Sequence, residues 1–120
     1  MNATNAYRRS MVNAPGHTLV AKLHEQAGVF TENVLRFSSE GDTVSARKNI
    51  TYVQDIISFL RASLDMSLEA SRTVDAVYAF YYDILIKWYV NITEIPQETD
   101  AMLEFWSSWA HTWSRVGSAE

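Results

Sequence analysis

Residues 74–90 read VDAVYAFYYDILIKWYV, and the reading of this stretch decides the fold. Fourteen of its seventeen residues are apolar or aromatic; the exceptions are Asp75, Asp83 and Lys87. Such a run can cross a membrane, line a core or wait on a surface for a partner. A membrane span needs about twenty mostly apolar residues, and each Asp or Lys near its centre costs roughly 2.5–3.5 kcal/mol. Pairing Asp83 with Lys87 at i, i+4 lowers that cost without removing it, so the span is rejected. What remains is a stripe. Val74, Tyr78, Tyr81, Leu85, Trp88 and Ile92 recur at spacings of three and four, which is one face of an α-helix.

The same period runs outward in both directions. Val20, Leu23, Ala27, Phe30, Val34 and Phe37 form one stripe, and Ile50, Val53, Ile57, Leu60 and Leu64 a second. Met102, Trp106, Trp109, Trp113 and Val116 form the last. The few glycines and prolines fall between stripes. Pro15 suits a first helical position, where its missing N–H would be unpaired anyway. Gly41-Asp42 reads as a helix end followed by an N-cap, and Asp65 or Ser67 as the next cap. Pro96 opens the last segment and Gly117 closes it. No stretch alternates β-branched residues between hairpin turns, so strands are not expected. Four helices, at about 15–39, 43–65, 69–92 and 95–116, joined by short links, predict an all-α antiparallel four-helix bundle. The bundle is expected over 14–117 as one domain, with 1–13 as a short N-terminal arm or cap helix.

Composition narrows the function. The chain has 120 residues, a net charge of −4 and no cysteine, which excludes disulfides, thiolate zinc sites and Cys nucleophiles. Its basic residues are scattered, with Arg8-Arg9 and Arg47-Lys48 the only adjacent pairs, so there is no footprint for a phosphate backbone and no nucleic-acid partner is expected. The opening MNATNAYRRSMVNAPG lacks the apolar core of a secretory signal, which points to the cytoplasm and makes the three Asn-x-Thr tripeptides fortuitous. His24-Glu25 starts a metal motif, but Gly28 stands where the second histidine is required, and His17 and His111 lie far off in sequence; no metal or cofactor is expected. A bundle enzyme acting on an anion needs cations inside the bundle, yet Arg36, Arg47, Lys48, Arg61, Arg72 and Lys87 fall off the stripes and read as a solvated face. No catalytic residues are expected.

The aromatic surplus says more. Tyr82, Ile86, Tyr89 and Val90 lie outside the core stripe of their helix, gathered about 80° to 180° from Tyr81 on the helical wheel. Phe59 and Leu103 also sit off their seams. Wide stripes serving two neighbours account for part of this; an interaction surface accounts for the rest, because contiguous exposed apolar area on a soluble protein marks a binding site. A groove of this kind best accepts an amphipathic helix.

These residues also carry a resemblance. The run VQDIISFLRASLDM, residues 53–66, followed by AVYAFYYDILIKWYVN, residues 76–91, resembles the FliS family of flagellar export chaperones. The Ser63-Leu64-Asp65 helix end, the Val77-Tyr78-Ala79-Phe80-Tyr81 run, the Asn5-Ala6-Tyr7 arm, the match of residues 23–30 to the family's first helix and a tryptophan at Trp113 carry the likeness over essentially the whole chain. The sequence departs from the family at His24-Glu25-Gln26-Ala27, where Tyr-Asp-Gly-Ala is usual, in the Met66–Ala70 link, and in the added bulk of Trp106 and Trp109. The resemblance implies an ATP-independent chaperone that holds the disordered C-terminal region of flagellin and keeps it from polymerising before export. It also implies an arm able to cover part of the client surface. Reading and resemblance together nominate Tyr7, Met11, Val12, Ile56, Phe59, Ser63, Asp65, Phe80, Tyr82, Ile86 and Tyr89 as partner-binding residues, in a groove between the second and third helices. Expected partners are flagellin and other flagellar export or regulatory proteins. The alternative is a self-associating bundle, a homodimer or adaptor with no flagellin client.

Overall fold

The computed structural model describes residues 16–95 and 99–116. They form four helices: α1, His17–Ser39; α2, Thr43–Ala62; α3, Glu69–Val90; and α4, Asp100–Val116. The all-α bundle expected from the stripes is therefore present, and each helix matches one stripe.

The helix ends show why the sequence breaks where it does. After α1 the chain turns at Gly41, whose φ of 79° is readily reached only without a Cβ. The amides of Gly41 and Asp42 donate back to Ser38 and Phe37 carbonyls, closing the turn. Asp42 then caps α2 by accepting from the Ser45 amide at 3.1 Å. α2 stops at Ala62, three residues short of the expected end, although Leu64 stays buried. The expected cap of α3 is corrected. Its N-cap is Leu68, with no side-chain bond, because the Asp65 carboxylate is taken by the Ser67 amide and hydroxyl in the preceding turn. α4 begins at Asp100, five residues later than expected. Before it, Ile92 is buried and the Ser38 hydroxyl donates to its carbonyl at 2.7 Å, tying this link to the end of α1. Pro15, Pro96 and Gly117 lie outside the described residues.

The predicted seams are the core. Val20, Ala27 and Val34 of α1 pack with Ile50, Val53, Ile57 and Leu60 of α2, with Val74, Tyr78, Leu85 and Trp88 of α3, and with Met102, Trp106 and Trp113 of α4. Leu23, Phe30, Phe37, Tyr81 and Trp109 are half-buried at its edge. α1 makes the longest contacts, with α2 and α4, and α2 packs on α3. The α3 and α4 backbones stand further apart and are bridged by rings: Tyr81 stacks on Phe105 at 4.6 Å, and Tyr78 meets Trp109 edge-on at 5.7 Å.

Polar residues also sit inside. Asn49 of α2 accepts from Asn33 of α1 and donates to the Ser45 carbonyl. His24, whose polarity suggests a surface or half-buried place, is fully buried among Tyr78, Phe105, Trp106 and Trp109. A carbonyl only accepts, so the 2.8 Å contact of His24 Nδ1 with the Val20 oxygen places the ring proton on Nδ1. Nε2 is then free to accept from the Tyr78 hydroxyl at 2.9 Å. Both nitrogens are thereby engaged within the core.

Candidate functional site

Which flank of each helix faces which neighbour follows from contacts that cross between helices. On α2, Asn49 reaches Asn33 of α1, and Tyr52 packs against Phe30 of α1 with ring centroids 5.1 Å apart. On the opposite flank Arg61 grips Asp75 of α3 with two bonds, 2.8 and 3.2 Å, and Arg47 donates to the Tyr89 carbonyl at 3.0 Å. Positions 52, 56, 59 and 63 share the first flank by their spacing of four, three and four. Ile56, Phe59 and Ser63 therefore look toward α1.

On α3 the residues at 75, 82, 86 and 89 share the flank facing α2, where Asp75 and Tyr89 make their contacts. Residues 80, 84, 87 and 91 share the flank facing α4, lining a cleft with Ala101 and Met102 of that helix. The single groove expected between α2 and α3 is thus corrected: its nominated residues fall on three surfaces. Ile56, Phe59 and Ser63 border α1; Tyr82, Ile86 and Tyr89 border α2; Phe80 borders α4. A helical wheel gives angles, but only the bundle says which neighbour occupies each angle.

Exposure separates the nominated residues further. Phe59 is 47% exposed, Phe80 59%, Ile86 45% and Tyr89 44%, large for side chains of this size. Val90 joins them at 68%. Ile56 and Tyr82 pack partly against the core, so they form the floor of a surface rather than its rim. Val77 is half-buried at the margin of the core. The Ser63 hydroxyl donates to the Phe59 carbonyl and finishes α2. Hydrogen bonds from the Ser67 hydroxyl and amide hold the exposed Asp65 carboxylate below its ordinary pKa. The polar atoms of Ser63 and Asp65 thus serve the α2–α3 turn. Tyr7, Met11 and Val12 lie outside the described residues.

The arginines are less solvated than their positions off the stripes suggest. Arg61 lies between α2 and α3, where its bonds to Asp75 raise its pKa. The Arg47 guanidinium sits 5.4 Å from the centroid of the Tyr89 ring and steadies that exposed aromatic. Neither arginine turns into the core.

Three apolar surfaces result. The first is a strip along α1 and α2, where Leu19, Leu23 and Phe30 share the α1 flank that meets Tyr52 and so line up with Ile56 and Phe59. The second is the Tyr82–Ile86–Tyr89 patch. The third, absent from the sequence reading apart from Phe80, is the α3/α4 cleft, about 460 Å³ in volume. Tyr81, Ile84, Trp88 and Met102 line it, with Lys87 and Glu94 at the rim. Its signal in the sequence is the 80, 84, 87, 91 spacing beside the core stripe. Among the described residues no group of three or more His, Asp or Glu side chains could hold a metal ion.

A family model described as flagellar protein FliS matches residues 1–120, the whole chain. The chain belongs to the FliS family. No individual curated protein matches it. Membership makes this FliS a flagellar chaperone of the helical-bundle kind, in agreement with the architecture described above. No described helix is long and apolar enough to cross a membrane. The departure at His24 from the family's usual tyrosine now has a structural setting. Trp106 and Trp109, the added bulk of the last helix, are two of the rings that enclose it.

Proposed function

We propose that this FliS is a cytoplasmic export chaperone that binds the disordered C-terminal region of flagellin, shields it from premature polymerisation and works without ATP. The observation that carries the reading is the distribution of exposed apolar side chains. Phe59, Phe80, Ile86, Tyr89 and Val90 lie on different flanks of two neighbouring helices. One rigid helix cannot cover them all. A segment that is unfolded alone and folds in pieces around the bundle can, and such coupled folding suits a partner that must later be released. Residues 1–15 precede α1 in the sequence, so Tyr7, Met11 and Val12 are proposed to cover part of the same surface until client displaces them, at some cost in client affinity. Other flagellar export or regulatory proteins are proposed as further partners.

The test is a titration of isotope-labelled flagellin C-terminal segment with the full chain, followed by NMR. The expected result is dispersion of the segment's collapsed amide signals on addition of FliS. Ile86→Asp, at an exposed site, and Tyr7→Ala are expected to weaken binding while helicity by circular dichroism stays unchanged. If every variant binds as the parent does, the surface assignment is wrong. A tight dimer by sedimentation that ignores flagellin supports self-assembly instead.

A further inference from the structure

Arg47 of α2 is held at two points by one residue of α3. Its Nε–H donates to the Tyr89 carbonyl at 3.0 Å, and its guanidinium carbon lies 5.4 Å from the centroid of the Tyr89 ring. The first contact has its cause in the backbone. Tyr89 stands in the last turn of α3, which ends at Val90, so the helix holds no amide four residues on to bond its carbonyl. A cation at that end also complements the helix dipole. The second contact follows from the first. A guanidinium tethered at the carbonyl is within reach of the ring on the same residue, and the face of a ring attracts a cation.

Arg61, on the same side of α2, provides the contrast. It straps the two helices together through the Asp75 carboxylate. Arg47 has no carboxylate partner among the described residues, and both of its contacts go to a residue that is exposed beside Ile86 and Val90. A strap that only joined α2 to α3 would need no exposed ring.

The consequence is preorganisation. A surface side chain loses rotamer freedom when a partner covers it, and that loss is subtracted from affinity. With its ring already held against a guanidinium, Tyr89 has less freedom to lose. Lysine could not take over this task. Its ammonium is a point charge without a planar fork, so it cannot bond the carbonyl and lie along the ring at once.

We propose that Arg47 is a positioning residue for client binding: it fixes the Tyr89 ring in its binding pose and raises affinity without itself touching the client. This rests on the chaperone reading above and deepens it by naming what organises the α3 patch.

A double-mutant cycle tests it, by calorimetric titration of the flagellin C-terminal segment into full-length Arg47→Lys, Tyr89→Ala and the double variant, with helicity and thermal melting of each compared with the parent. Tyr89→Ala is expected to weaken binding roughly tenfold, the loss of one good anchor. Arg47→Lys keeps the charge and is expected to weaken binding about fourfold, at low and high salt alike, because the ring is no longer fixed. Beside Tyr89→Ala the Arg47→Lys effect is expected to vanish, since no ring remains to be positioned. A readout without client separates positioning from loss of structure. Side-chain NMR couplings of Tyr89 are expected to report one χ1 rotamer in the parent and averaging in Arg47→Lys, while those of Tyr52 stay unchanged. If Arg47→Lys binds within twofold of the parent, or its effect persists in full beside Tyr89→Ala, Arg47 does not act through the ring and the proposal is overturned. Rotamer averaging already present in the parent overturns it as well, whatever the stability of the variants. In each of these cases weakened binding by Ile86→Asp keeps the chaperone reading. If the parent itself ignores flagellin, both fall.

Discussion

His24 shows how one residue can couple the core to pH. Burial pushes its pKa down from 6.5 to about 4, against a smaller upward pull from the bond to the Val20 carbonyl. Above pH 6.5 the ring is neutral whether the chain is folded or not, and its contribution is fully present. As pH falls, the unfolded chain takes up a proton that the folded one refuses, so stability drops by about 3 kcal/mol between pH 6.5 and 4. Chemical denaturation across that window is expected to show the slope in the parent and not in His24→Phe, whatever the variant's absolute stability. An equal slope in both would assign it to other groups. Ser71 supplies the opposite case. Its hydroxyl is fully buried in α3 with no hydrogen-bond partner among the described residues. An unpaired buried hydroxyl costs on the order of 1–3 kcal/mol, and alanine is also the better helix former. Ser71→Ala is expected to raise the melting temperature by a few degrees; a fall of that size would reveal a bound water or other partner.

Between elements, α1 approaches α4 closely at Gly28. A Cβ built on Gly28 would lie 3.4 Å from the Trp106 Cβ, ordinary van der Waals contact, and the Gly28 backbone is helical. Gly28→Ala is therefore expected to stabilise by about 0.5–1 kcal/mol, the interior helix penalty of glycine, measured by urea denaturation. A loss instead would mean that the crossing cannot yield even a few tenths of an ångström. The Asp42 carboxylate caps α2, and Asp42→Ala is expected to lower the denaturation midpoint with little change in the slope of the curve. The ends of α1 and the start of α2 were legible because Gly41 and Asp42 act locally. The start of α3 at Glu69 was legible from the period too, but its cap was not, since Asp65 and Ser67 bond each other instead of capping the helix.

For the molecule as a whole, Trp106 is the keystone of the α1/α4 side. It is fully buried, meets His24, Tyr81 and Phe105 in ring contacts and lies under Gly28. Trp106→Ala is expected to cost about 3–5 kcal/mol, a large part of the stability of a domain this size, and to lower the thermal melt monitored at 222 nm. A loss below about 1 kcal/mol would show that the core closes around the gap. The proposed client surfaces are expected to behave differently: residues such as Phe80 and Ile86 are exposed, so their replacement should change binding before folding.

The sequence by itself determined the helices, their core stripes and, through resemblance, the family. Spacings of three and four record which side of each helix avoids water, and that is a local property of the chain. Even His24 could have been placed inside, four residues after Val20 and three before Ala27, had the period been trusted over the residue's polarity. Only the tertiary structure decided how the remaining flanks meet. Ile56 and Phe59 turn to α1, Tyr82 and Ile86 to α2, and Phe80 to the open side of α4. Apolar residues on two helices can look alike on a wheel while the packing of neighbours puts them on opposite walls of the bundle.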